Sequence, residues 1–186
     1  ALPIYGGTVR IVGLEGTLLQ LAGSELRTSR PAAPASLALF DLRFAADGRR
    51  GWIAAGDGWL LLTDDGGARW RRQRIGEDNL SALGLTADGR QLRIGGQGGA
   101  LQVRLDDGPF AAWTRAGERQ VRRLVRLRDG RLFLPGPNGG ALVSDTSGER
   151  WQTLATGSDR TLMDVCFAAG GRRGWVVGQS GTLLAR

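Results

Sequence analysis

The side chains with chemical capacity in this sequence are carboxylates and guanidinium groups. All 25 basic residues among the 186 are arginine; the chain has neither histidine nor lysine. Without histidine there is no Ser-His-Asp triad, no imidazole base and no zinc cluster of the His/Cys type. Without lysine there is no phosphate-binding P-loop and no Schiff base. Against 18 acids the arginines leave a net charge of +7, which favours an acidic partner or surface. Glycoside hydrolysis needs two carboxylates facing each other, and Asp41 and Asp164 are the pair the repeat spacing nominates. The single cysteine, Cys166, has no internal disulfide partner and falls in an apolar strand pattern, where it is expected to be inert.

The elements that position these groups come from a repeat. Gly7, Gly48, Gly89, Gly130 and Gly171 recur at intervals of 41 residues, each preceded by Asp or Gly. Asp-Gly and Gly-Gly between apolar stretches predict two-residue type I′ hairpins, in which both central residues need φ > 0. Apolar alternation precedes the turn, clearest as Phe40, Leu42 and Phe44, and a glycine-ended strand, a loop and a third strand follow it. A fourth strand begins near Trp70, Trp113 and Trp151. Four short antiparallel strands per 41 residues is the period of a β-propeller blade. The expected fold is all-β: a single propeller domain over 1–186 of about five four-stranded blades. Approximate units are 1–30, 31–76, 77–118, 119–158 and 159–186, with the last blade incomplete. Arg126 falls in register with Phe44, which predicts a bulge or slip in the fourth unit.

The loop of the second unit, Thr63-Asp-Asp-Gly-Gly-Ala-Arg-Trp70, fits the Asp-box pattern through Thr63, Asp65, Gly67 and Trp70. In the fourth unit, Ser144, Gly148 and Trp151 keep it with Thr146 in place of the aspartate, and Asp106-Asp-Gly108 with Trp113 is a looser version. Together with Gly51-Trp52 and Gly174-Trp175, these residues resemble the photosystem II stability/assembly factor-like (BNR/Asp-box repeat) family, in a non-photosynthetic bacterial type, over almost the whole chain. The resemblance implies export to the periplasm or an equivalent compartment. It also implies a non-enzymatic scaffold docking through arginines on a membrane-embedded protein complex, such as an RND-type exporter.

Other readings of the motifs fail on their surroundings. Gly95-Gly-Gln-Gly-Gly-Ala100 suggests a dinucleotide loop, but no helix follows and the loop recurs as a strand connector. Asp106-Asp107-Gly108 lacks the later ligands of a calcium loop. A sialidase would need a tyrosine nucleophile, for which only Tyr5 exists. No metal, cofactor or small-molecule substrate is expected. Asp65 is expected to hold its turn by accepting backbone N–H groups.

Arginine placement carries the positive expectation. Arg49, Arg90, Arg131 and Arg172 each follow a turn glycine, with Arg50 and Arg173 beside two of them. In an up-and-down meander, alternate turns emerge on opposite edges, so Arg69 and Arg150 of the Asp-box turns should join the same edge. Glu15, Asp57, Glu77, Asp78, Glu118 and Asp159 should occupy the other. Clustered arginine suits a docking surface for acidic groups. The cluster from Trp70 to Arg74 suits an exposed outer strand instead. Two further functions are alternatives for such a chain: a carbohydrate-binding or glycoside-hydrolysing Asp-box propeller, and nucleic-acid binding. The latter normally interleaves exposed aromatics with the basic groups, and the arginine-bearing turns carry almost none.

Overall fold

The computed structural model describes residues 4–5, 8–29, 37–86, 88–106, 108–111, 114–115, 121–127, 129–145, 150–168 and 173–185. Gly7, Gly171, Arg172, Gly148, Trp113 and Glu118 lie outside them. The described residues are all-β and contain no α-helix; short 3-10 turns occur at Gln97–Gly99 and Gln179–Gly181.

Five antiparallel sheets follow one another along the chain. The first holds β1 (Ile4–Tyr5), β2 (Thr8–Val12), β3 (Leu18–Ala22) and β4 (Glu25–Ser29). The second holds β5 (Leu39–Phe44), β6 (Gly51–Ala55), β7 (Trp59–Thr63) and β8 (Arg71–Arg74). The third consists of β9 (Leu80–Leu85), β10 (Gln91–Gly96), β11 (Ala100–Leu105) and β12 (Thr114–Arg115). The fourth has β13 (Val125–Arg126), β14 (Leu132–Pro135), β15 (Gly140–Ser144) and β16 (Trp151–Ala155). The fifth has three strands, β17 (Leu162–Phe167), β18 (Gly174–Gly178) and β19 (Leu183–Ala185). Strand order within every sheet is the chain order, so each repeat folds as a meander built from local contacts.

The chain forms two compact units, Ala1–Ile94 with Val103–Ala111, and Gly95–Gln102 with Ala112–Arg186. In the first unit two apolar layers cover the two faces of the second sheet. Ile53, Leu61, Leu42 and Phe44 pack with Leu18 of the first sheet. Trp52, Ala54, Leu60 and Leu62 pack with Leu80, Leu83, Leu92 and Ile94 of the third. Leu60 and Leu61 are adjacent in sequence, face opposite layers, and are both fully buried, which is why β7 reads as a continuous apolar run. Each contributes about 1.5–3 kcal/mol through burial. In the second unit, Phe133 and Ala141 of the fourth sheet pack with Val165 of the fifth.

Backbone hydrogen bonds also join one sheet to the next. Leu39, Val121 and Leu162 donate their N–H groups to the carbonyls of Gly13, Gly96 and Gly136, each at the end of the preceding sheet's second strand or just after it. Donor positions 39, 121 and 162 fall on the 41-residue repeat.

One sequence expectation needs correction. The Asp-Gly turns are not two-residue type I′ hairpins. Gly48 has φ 67° and Gly89 φ 69°, but Asp47, Asp88 and Asp129 are not left-handed. Gly48 donates to the Ala45 carbonyl at 2.9 Å while Ala45 donates to that of Arg50, so the loop is a longer turn ending in one left-handed glycine. The paired left-handed conformation sits one loop later, at Glu15-Gly16, Asp57-Gly58, Gly98-Gly99, Asn138-Gly139 and Ser180-Gly181. There Trp59 donates to the Gly56 carbonyl and Gly140 to that of Pro137, as type I′ turns require. In the fourth unit the expected slip is present: its first strand is shortened to two residues, and Arg126 pairs with Leu132, one residue short of the 126–133 pairing that Phe44 and Gly51 give at the repeat spacing. Register shifts also fall in the second and fifth sheets, between Leu39 and Asp41 and between Leu162 and Asp164.

Candidate functional site

The arginine-bearing turns are built by their aspartates. Asp47 Oδ1 accepts the N–H groups of Arg49 (2.8 Å) and Arg50 (3.0 Å). Asp88 Oδ1 accepts that of Arg90, and Asp129 Oδ1 that of Arg131, both at 3.0 Å. Asp-Gly-Arg is thus an Asx-type turn in which the carboxylate takes the amide two residues on.

The same carboxylates neutralise part of the edge. Arg50 pairs with Asp47 (3.0 Å), Arg131 with Asp129 (2.8 Å), and Arg90 with Asp106 across to the third-strand end of its own sheet (3.0 Å). Arg49 donates through Nε to the Asp64 carbonyl at 3.4 Å. The guanidinium groups of Arg49, Arg69, Arg150 and Arg173 are exposed and carry no ion pair among the described residues.

Within the first unit these turns form one edge. Gly66 donates to the Arg49 carbonyl (2.9 Å), joining the Asp-Gly-Arg turn of the second sheet to its Asp-box turn. Asp106 donates to the Arg90 carbonyl (2.6 Å), joining the corresponding turns of the third.

The Asp-box is a closed hydrogen-bond set. Thr63 Oγ1 donates to Asp65 Oδ1 (2.8 Å) and accepts the Gly67 N–H (2.9 Å). Asp65 Oδ1 also accepts the Arg69 N–H (2.9 Å), and Trp70 Nε1 donates to the Gly67 carbonyl (3.1 Å). The Trp70 ring meets Phe44 edge-on at 6.0 Å. In the fourth sheet Ser144 is buried and does a different job, accepting the Leu132 N–H at 2.8 Å. Trp151 opens β16 and is half-buried.

Arg10 is a participant that the sequence patterns gave no reason to select. From β2 it donates to the Gly66 carbonyl at 3.0 Å and stacks over Phe44 at 4.5 Å. Its Nε and Nη1 are buried without a hydrogen-bond partner, and burial lowers its pKa. The arginine thereby clamps the first sheet to the Asp-box turn of the second, with the ring face accepting the charge.

The nominated acid pair is occupied by structural contacts. Asp41 accepts the N–H groups of Leu42 and Leu83, each at 2.9 Å, and pairs with Arg43 at 3.3 Å. Asp164 accepts the Val165 N–H at 2.7 Å and lies 2.8 Å from Arg123. A pocket in the second unit, lined by Arg122, Pro135, Pro137, Thr161, Met163 and Gln179, measures about 180 Å³. Small-molecule sites usually enclose roughly 300–1,000 Å³. The Gln97–Gly99 loop joins two strands, and Cys166 is exposed in β17. No group of three or more His, Cys, Asp or Glu able to hold a metal occurs among the described residues. Nor is any helix there long and apolar enough to cross a membrane.

Turn carboxylates make the fold acid-sensitive. The Arg69 N–H and the Thr63 hydroxyl hold Asp65 below its ordinary pKa, and the Thr86 hydroxyl and Arg90 N–H do so for Asp88. The Arg131 side chain and then its N–H lower Asp129, and the Arg90 guanidinium lowers Asp106. Because these folded-state values are depressed, their stabilisation is complete above the unfolded aspartate value, near about 3.9, and is lost as pH falls through the folded values. Melting temperature should therefore be level between about pH 7 and 5 and fall progressively below about 4. A level melting temperature down to pH 2 would show that these hydrogen bonds do not form.

The chain matches no family model and no curated protein.

Proposed function

We propose that the five sheets are blades of a β-propeller of the Asp-box repeat type and that the protein is a non-enzymatic scaffold. Its arginine-bearing edge docks on a protein partner in a membrane-associated complex, such as an RND-type exporter, in an exported setting such as the periplasm. The observation that carries this reading is the joined edge of the first unit. Two turns of one sheet are hydrogen-bonded together there and hold Arg49 and Arg69 exposed without an ion pair among the described residues. Exposed guanidinium groups carried on a fixed turn backbone are available for bidentate pairing with carboxylates, whose geometry their planar fork matches.

A hydrolase reading gains no support from Asp41 and Asp164, whose oxygens already serve backbone N–H groups and arginines. Three parallel assays separate the functional classes. The scaffold reading expects capture of a membrane-associated protein by the immobilised chain, no retention on acidic glycans, and no retention on single-stranded DNA at physiological salt. Glycoside turnover abolished by Asp41→Asn or Asp164→Asn, or tight glycan binding without protein capture, would replace it with the carbohydrate reading. Salt-sensitive DNA retention without protein capture would replace it with nucleic-acid binding.

A further inference from the structure

The outer strand of the second sheet, β8, reads Arg71-Arg72-Gln73-Arg74, whereas no other strand among the described residues has more than one arginine. All four residues are exposed, and β8 ends its sheet, with no strand on its outer side among the described residues. Arg71, Arg72 and Arg74 make no ion pair there. Arg72 lies over the Trp59 ring at 5.3 Å, and Arg74 donates through Nε to the Asp57 carbonyl at 3.3 Å.

Charge on an edge strand ordinarily discourages pairing with other sheets. This chain does not use that device as a rule. The outer strand β4 balances its one arginine with Glu25 at 3.0 Å, and the outer strand β16 carries no charged residue. Three unbalanced charges of one sign also select: they disfavour apolar and basic strands and favour an acidic one.

The backbone of β8 is open to such a strand. Ile75 donates to the Gly58 carbonyl at 2.9 Å, which makes the neighbouring Trp59 and Arg74 a pair without mutual hydrogen bonds. Alternation then assigns the bonds with β7 to Arg71 and Gln73, opposite Leu62 and Leu60. Arg72 and Arg74 turn their N–H and C=O groups outward. Their side chains share the face of Leu61 and Trp59, toward the first sheet, while Arg71 shares that of Leu62, toward the third.

We propose that β8 is a docking edge for an extended acidic segment of a protein partner, which adds to the second sheet as a fifth strand. The segment pairs with the outward N–H and C=O groups of Arg72 and Arg74, and its Asp or Glu side chains at alternate positions face those two arginines. An acid on its other face meets Arg71. A lipid surface meets one face of a sheet at a time, whereas a strand laid alongside meets both, which favours the strand as occupant. The site does not depend on docking through Arg49 and Arg69, so either reading can fail without the other.

The test uses a capped peptide of alternating Glu and Thr, and a copy N-methylated throughout, which keeps the charge and removes the N–H donors. Amide hydrogen exchange is followed by NMR on the whole chain. Without peptide, the Arg72 and Arg74 amides should exchange faster than those of Arg71 and Gln73; saturating peptide should slow Arg72 and Arg74. The variant Arg72→Ser/Arg74→Ser, checked for folding by circular dichroism, should bind the peptide about tenfold more weakly. Arg126→Ser/Arg160→Ser, which removes the same charge from exposed positions elsewhere, should bind it as wild type does. Arg72→Glu/Arg74→Glu should instead prefer a peptide of alternating Lys and Thr. No binding of the Glu–Thr peptide, equal binding of its N-methylated copy, or binding without slower exchange at Arg72 and Arg74 would overturn the proposal. So would retention on phosphatidylglycerol vesicles or single-stranded DNA that the Ser variant loses while the peptide goes unbound, which would make β8 a membrane or nucleic-acid contact.

Discussion

Replacing Gly58 with alanine is expected to cost about 2–5 kcal/mol, combining a left-handed penalty of about 1–2 with overpacking of about 1–3. Gly58 has φ 71° as the second residue of a type I′ turn, and a Cβ there would fall inside the Gly76 carbonyl oxygen. Backbone cannot swing away as a side chain can, and this stretch is tied down because Ile75 donates to the Gly58 carbonyl at 2.9 Å. Gly139, with φ 66° and the Ser158 carbonyl oxygen in the same place, should behave alike in the second unit. The control is Gly23→Ala, which has φ 59° and open space around the new methyl, so only the left-handed penalty of about 1 kcal/mol remains. Gly89→Ala should fall between, since its methyl meets Ala45 Cβ at 2.9 Å. Urea denaturation ranks the four. Equal losses for Gly58→Ala and Gly23→Ala would mean that the loop does not approach Gly76.

The second large effect is a matched pair. Gly51→Ala should cost about 2–3 kcal/mol, in the range for overpacking a filled core. The new methyl would lie 2.6 Å from Phe44 Cε1. Phe44 cannot yield, being 2% exposed and held by Trp70 at its edge and Arg10 over its face. The equivalent Gly174→Ala places a methyl 2.7 Å from Phe167, which is 38% exposed and can rotate outward. That change should cost about 1 kcal/mol, the low end of the overpacking range, with Phe167 giving up part of its edge contact with Phe133. The same substitution at equivalent places thus separates a covered sheet from an uncovered one. Equal costs would show that Phe167 is as tightly enclosed as Phe44, and would count against an open fifth sheet.

Much of the architecture was legible because each repeat folds from local contacts. Gly48, Gly89 and Gly130 fall in the first turns of the second, third and fourth sheets, and the apolar alternation around Phe40, Leu42 and Phe44 marked a strand that proved to be β5. The turn type was misread for a specific reason. Asp-Gly fits a type I′ turn, but Asp47 uses its carboxylate to accept amides two and three residues on, which stabilises a longer turn with one left-handed residue. The primed turns had a signal of their own, a Gly preceded by Glu, Asp, Gly, Asn or Ser at Gly16, Gly58, Gly99, Gly139 and Gly181. Their unequal spacing hid it. At the candidate site, sequence placed the Asp-box and the arginines in their turns. It could not show that Asp106 would reach Arg90 or that Arg10 would reach Gly66, because these contacts join segments 16 and 56 residues apart. Which arginines are neutralised is therefore a property of packing, and among the described members of the expected docking set, Arg49, Arg50, Arg69, Arg90, Arg131, Arg150 and Arg173, it narrows the expectation to Arg49, Arg69, Arg150 and Arg173.

The scaffold reading is tested most directly by the affinity of the captured partner at low and high salt, for three forms of the chain. One form carries Ser at Arg49, Arg69, Arg150 and Arg173, which removes four positive charges and takes the net from +7 to +3. A second, the acidic-edge form, carries Ser at Glu15, Asp57, Asp78 and Asp159, the acids expected opposite the arginine turns; the third is wild type. All three should fold, because exposed charges contribute little individually. Wild-type and acidic-edge forms should bind alike and weaken as salt rises, since steering by exposed charge is screened over about 10 Å at 0.1 M. The arginine-edge form should bind at least about tenfold more weakly, a loss of about 1.4 kcal/mol, and lose most of the salt dependence. Equal affinity of the arginine-edge form and wild type at both salt concentrations would contradict docking through this edge.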